Sequence, residues 1–171
     1  AKEKKAHDII CEYVEYEEGT YDQTAYSAVM QKKTVCAGYA KLYRMMTNAA
    51  GLETVSVTSA THGWNRTKLG NQWYNVDLTW DDGTPISYQF FNKSDATMEK
   101  YDGSSRESHT QNHYYDGVAP GCESDYGASV TVVDAEQIHA DTATVVLDLV
   151  NNQSGQIRTS FVPANVTDKR L

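Results

Sequence analysis

Val35-Cys36-Ala37-Gly38-Tyr39-Ala40-Lys41-Leu42-Tyr43-Arg44-Met45-Met46 opens an apolar, helix-like run with a thiol at its start. Downstream come His62-Gly63-Trp64-Asn65 and then Trp73-Tyr74-Asn75-Val76-Asp77-Leu78-Thr79-Trp80-Asp81. From Cys36 to Ala50, residues Ala37, Ala40, Leu42, Tyr43, Met46 and Ala49-Ala50 recur at helical spacing and form a broad apolar stripe. Thr34 reads as the N-cap, and Gly51 stands where a glycine closes a helix. Cys36 then falls in the first turn, where unpaired backbone N–H groups and the helix dipole favour negative charge. The thiolate is the reactive form of cysteine, so this is a place for a nucleophile. Taken alone, Cys36 reads more readily as a small buried hydrophobe opening a helix.

Leu52 to Trp64 reads as one strand, with Thr58, Ala60, His62 and Trp64 on one face. Gly70-Asn71 reads as a hairpin turn, and Gln72 to Trp80 as the returning strand, with Trp73, Asn75, Asp77 and Thr79 sharing a face. Aspartate is depleted in strands and costly to bury without a partner. An imidazole opposite it would satisfy it, and antiparallel neighbours place such residues about 5 Å apart at the backbone. His62 and Asp77 are each bland when seen singly. With Cys36 they make a candidate nucleophile, base and orienter.

These stretches resemble the transglutaminase-like superfamily, whose core carries a cysteine on a helix followed by a histidine and an aspartate on adjacent strands. Ala25-Tyr26-Ser27-Ala28-Val29 and Lys33 to Ala40 resemble the approach to the nucleophile, and Ala49-Ala50-Gly51-Leu52-Glu53 the helix exit. His62-Gly63-Trp64-Asn65 resembles a His-Ala-Trp-Asn segment with Gly63 in place of Ala, and Trp73 to Asp82 is the closest match. Phe90 to Met98 resembles a segment that bacterial members carry after the core. The likeness runs from about His7 to Met98. Its Cys, His, Asp order also occurs in papain-like proteases, but there the histidine lies far downstream.

The resemblance implies an α+β, papain-like or transglutaminase-core fold, with the nucleophile helix packed on an antiparallel sheet. It also implies acyl chemistry on a carboxamide. Cys36 would attack the amide carbon, His62 would hold the thiolate and protonate the departing amine, and Asp77 would orient His62. The backbone N–H of Cys36 is the expected oxyanion donor, with Tyr26 a candidate second one that reads otherwise as a packed core tyrosine. Asn in place of Asp77 should cut turnover far more than stability, since an amide can still hydrogen-bond the same ring. Three function classes follow: a thiol hydrolase of peptide or side-chain amides, a cross-linking transglutaminase, and a binding module that keeps the fold without turnover.

With 171 residues, the chain can bury a real core. A formal net charge of −8, with no basic stretch beyond Lys2-Glu3-Lys4-Lys5, argues against nucleic acid or an anionic membrane as partner. No apolar run reaches transmembrane length. The expected partner is a peptide or protein substrate, with no cofactor and no metal. Twelve tyrosines in a polar background fit an extracellular or cell-surface protein, whose leader would lie outside this sequence. Of the three cysteines, Cys11 and Cys122 are the pair that could bridge while leaving Cys36 unbridged.

Residues 6–18 read as a helix, with a short helix around Tyr26. The catalytic core with its following loops spans 1–128, and 129–171 is a β-rich appendage or the start of a second module. His109 and His113 stand four apart near Asp102 and Asp116, but in Gly/Ser-rich sequence where no helix is secure, so no metal site is assigned there. Asp81-Asp82-Gly83 reads as a turn rather than a calcium loop.

Overall fold

In the computed structural model the described residues are 2–102, 108–115, 117–127, 144–149 and 157–162. Two units separate, 1–126 and 127–171.

Helix α1 (Lys2–Tyr13) buries His7, Ile10 and Cys11 on one face. It ends before residue 18 because Glu15–Tyr16 (β1) leaves to pair in parallel with Lys33–Thr34 (β2). The short helix near Tyr26 is a π-helical turn, Ser27–Gln31. Helix α2 (Cys36–Ala49) follows, and Tyr39, Ala40, Leu42, Tyr43 and Thr47 are buried along it, whereas Ala49 is exposed. Its N-cap is Val35 rather than Thr34, in extended backbone and with no side-chain cap. Thr34 is drawn into β2 instead, where its hydroxyl donates to the Asp22 carbonyl and accepts from Ser27 Oγ at 2.9 Å. Gly51 has φ +86°, the left-handed conformation that glycine supplies cheaply after a helix.

A four-stranded antiparallel sheet runs β3 (Glu53–Thr58), β4 (Gly63–Leu69), β5 (Gln72–Val76), β6 (Phe91–Lys93). The strand expected over 52–64 is therefore two elements. β3 and β4 pair with each other, Thr58 opposite Gly63, so the chain reverses at residues 59–62. That turn is closed by Ser59 N–H to His62 C=O at 2.9 Å and His62 N–H to Ser59 Oγ at 3.1 Å. Gly70-Asn71 makes the predicted two-residue turn, with Leu69 opposite Gln72. The strand expected over 72–80 stops at Val76, because Asp77 caps a single helical turn, α3 (Leu78–Asp81).

Strand β4 is buried on both faces. On one, Asn65 Nδ2 donates to the Ala40 carbonyl of α2 at 3.0 Å, beside the cluster of Ile10, Tyr39, Tyr43 and Val76. On the other, Trp64 packs with Val57, Phe90, Met98 and Ala119. There Arg66 donates to Asp95 of α4 (Asp95–Asp102) at 2.7 Å and to the Ala119 and Pro120 carbonyls at 3.0 and 2.8 Å. A Cβ at Gly63 would meet Thr58 Cγ2 at 3.6 Å, an ordinary contact, so alanine would fit there too.

Cys11 and Cys122 are both buried free thiols, not a disulfide. Cys11 belongs to the α1–α2 core, with Sγ against the Leu78 carbonyl. In the second unit, β7 (Thr144–Leu149) and β8 (Ile157–Val162) pair antiparallel as a two-stranded sheet. Val130, Val132 and the 151–155 turn of the sequence reading lie outside the described residues. Among the described residues, no helix is long and apolar enough to cross a membrane.

Candidate active site

Cys36 is the first residue of α2 and is half-buried. Its surroundings are set by a close approach: a Cβ on Gly38 would sit 1.7 Å from Thr34 Oγ1 and 2.9 Å from the Thr24 carbonyl. Only glycine lets the 22–24 segment press against this end of the helix.

The Cys36 side chain lies close enough to His62 to favour the charged form of its ring. His62 Nε2 lies 2.6 Å from Asp77 Oδ2, so Nδ1 is the nitrogen on the thiol side. The register Asn65↔Val76 brings the start of β4 beside the end of β5, and the two residues meet where the strands give way to turns. Neither is a mid-strand residue, as the sequence reading had them.

Asp77 is fully buried, and both its oxygens are used. Oδ1 accepts the N–H groups of Thr79 at 2.9 Å and Trp80 at 3.4 Å, capping α3. Oδ2 accepts from His62 and also from His109 Nε2 at 2.9 Å. His109 is in turn held by Asp102: Nδ1 faces Oδ1, and the backbone N–H donates to Oδ2 at 2.9 Å. Trp64, Trp80 and Phe90 box the His109 ring, with centroids 5.1, 4.8 and 5.9 Å away.

Burial alone would push the His62 pKa down. The Asp77 charge and hydrogen bond, joined by the neighbouring Cys36, outweigh it and raise the value from 6.5 to about 10. Burial likewise works against the Asp77 carboxylate, but the two imidazoles hold its pKa well below the usual range. The favoured state of the pair is imidazolium and carboxylate.

This order of elements and side chains has a match. Residues 1–78 fit the family model described as the transglutaminase-like superfamily. Over that segment the chain is similar to a transglutaminase-like core. Among solved structures, a TGase is similar at 16% identity and TM-score 0.40 over 45% of this chain and 25% of its own. A proposed cysteine protease from Cytophaga hutchinsonii is similar at 20% identity and TM-score 0.39, over 45% of this chain and 30% of its own. This chain thus spans less than a third of either. No curated protein matches it.

Beyond the matched segment, residues 79–127 supply His109 and Asp102. The sequence reading noted both, but only as parts of a rejected metal motif with His113 and Asp116. The structure brings His109 to His62 and Asp77 instead; Asp116 lies outside the described residues. The three donor atoms fall within 4.8 Å of one another. Two ligands on one tetrahedral zinc at about 2.0–2.1 Å would stand about 3.3 Å apart. Contacts of 2.6 and 2.9 Å are those of direct hydrogen bonds.

Tyr26 precedes the π-helical turn and is 59% exposed, edge to face with Tyr21 at 6.4 Å. It is a surface residue rather than the packed core tyrosine that was its other reading. Asp81 and Asp82 serve the interior: Asp81 meets His7 Nε2 at 3.2 Å and accepts the Phe90 N–H at 3.0 Å, while Asp82 accepts the Tyr39 hydroxyl.

Proposed function

We propose that this chain performs thiol-dependent acyl chemistry on peptide or side-chain amides, with Cys36 as nucleophile, His62 as acid–base and Asp77 as orienter. The observation that carries the reading is the Cys36 side chain beside His62, whose Nε2 lies 2.6 Å from Asp77 Oδ2. The Cys36 thiolate attacks the amide carbon, forming a C–S bond. The oxyanion takes the backbone N–H of Cys36, one of the helix-start donors without an intrahelical acceptor. The C–N bond then breaks as imidazolium His62 passes its proton to the leaving amine. Water next adds to the thioester, His62 taking its proton, and the carboxylic acid departs with Cys36 restored. A primary amine in place of water gives transamidation. An extracellular or cell-surface setting, with peptides or proteins as substrates, fits the acidic, tyrosine-rich composition.

The test uses the full chain with a library of glutamine-containing peptides, with and without a primary amine. An acyl adduct on Cys36 in quenched reactions, absent from Cys36→Ser, is the expected outcome. Wild-type protein that never acquires an adduct and turns nothing over would count against the enzyme and for a binding module on this fold.

A further inference from the structure

We propose that His109, clamped by Asp102, is a positioning residue that fixes the Asp77 carboxylate for His62. The inference rests on the proposed function only in naming what the positioning serves.

Three observations converge. First, Asp77 Oδ2 is shared: His62 Nε2 reaches it at 2.6 Å and His109 Nε2 at 2.9 Å, while Oδ1 is committed to the amides of α3. The carboxylate is pinned from both sides, so its orientation toward His62 is fixed rather than averaged. Second, Asp102 grips His109 at the ring and at the backbone N–H together, which sets both the path of the chain and the plane of the ring. Both ring nitrogens of His109 face carboxylate oxygens, so the ring is held from both ends. Third, His109 is only 4% exposed and its ring is walled by Trp64, Trp80 and Phe90. Those walls keep water from competing for Asp77, and hydrogen bonds to a charged group are stronger in such surroundings. The result is an alternating series, Cys36, His62, Asp77, His109, Asp102, with its last two members outside the 1–78 match.

A structural histidine would hold the fold without affecting the thiol. The experiment therefore compares His109→Phe, His109→Gln and Asp102→Asn in the full chain. It reads the rate of iodoacetamide labelling at Cys36, the melting temperature, and the far-downfield proton resonance expected of the short His62–Asp77 hydrogen bond. Misplacing a reacting group by about 1 Å costs up to about 100-fold, so His109→Phe should slow labelling by about 10- to 100-fold and lose or move the resonance. His109→Gln, whose amide can still donate to Asp77, should recover most of the rate, and Asp102→Asn should show a smaller loss. Folded His109→Phe that labels at the wild-type rate with its resonance unmoved overturns the proposal. So does a loss that tracks melting temperature alike in all three variants. If His109→Phe does not fold, wild-type labelling in both other variants overturns it equally. A chain that turns over no amide yet shows these rate changes removes the proposed function and leaves the positioning role standing.

Discussion

At Asp77 the carboxylate oxygens divide the work, one capping a helix and one receiving two imidazoles, and this alters what a substitution there can tell. From sequence, Asn at 77 looked like a clean separation of activity from stability. In the fold, the Asn NH2 would face donors either way round, the imidazoles or the Thr79 and Trp80 amides, and buried His62 would lose its counter-charge. Asp77→Asn should therefore lose stability as well as activity, by about 3–5 kcal/mol as for other broken buried pairs, measured by urea denaturation. Cys36 is the better probe. Burial raises the thiol pKa of Cys11 strongly and that of Cys122 to about 12, so neither is a thiolate near neutrality. Iodoacetamide at about pH 6 should modify Cys36 first, because His62 is imidazolium there; equal labelling of all three by peptide mass spectrometry would refute this. The His62 pKa also sets a pH window. It is raised in the fold, so its contribution to stability is complete below the unfolded value of about 6.5 and is lost as pH climbs through about 10. The gap in melting temperature between wild type and His62→Gln should accordingly be widest near pH 6 and shrink toward pH 10.5.

Among the elements, α2 and the β4–β5 hairpin were legible because their signals are local: a 3.6-residue apolar stripe, and a Gly-Asn turn between alternating strands. What local signals could not show is where strands stop. The reversal at 59–62 and the cap at Asp77 depend on side-chain oxygens, Ser59 Oγ and Asp77 Oδ1, taking backbone N–H groups, which strand periodicity does not encode. His109 was illegible as a site residue for a related reason: its partners Asp77 and Trp64 lie 32 and 45 positions away, and its neighbours have no periodicity. Gly38 gives this scale its test. Alanine there must displace Thr34 or the Thr24 backbone, at about 1–3 kcal/mol for overpacking, and should open the mouth of α2. Gly38→Ala should melt lower and label Cys36 more slowly, whereas Gly63→Ala, with its 3.6 Å contact, should do neither.

Across the whole chain, the family match ends at residue 78 while the first unit runs to Tyr126. Arg66 explains why the extra stretch belongs to it: the guanidinium is buried and finds acceptors in Asp95, Ala119 and Pro120, all beyond the match. A chain ending at residue 126 should keep wild-type labelling of Cys36, and one ending at residue 102 should lose it along with cooperative melting. Both are checked by circular dichroism beside the alkylation rate. The contacts of α1 reach as far in the other direction. His7 meets Asp81, 74 positions on, and Cys11 meets Leu78, 67 positions on. During synthesis at about 5–20 residues per second, the face of α1 that carries them waits about 3 to 15 seconds for its partners to be made. The turn that carries Asp77 can lock only after that delay, so the residues of α2 are made well before the carboxylate that holds His62 is anchored, and the newborn protein holds the Cys36 thiol before the histidine and carboxylate that will surround it.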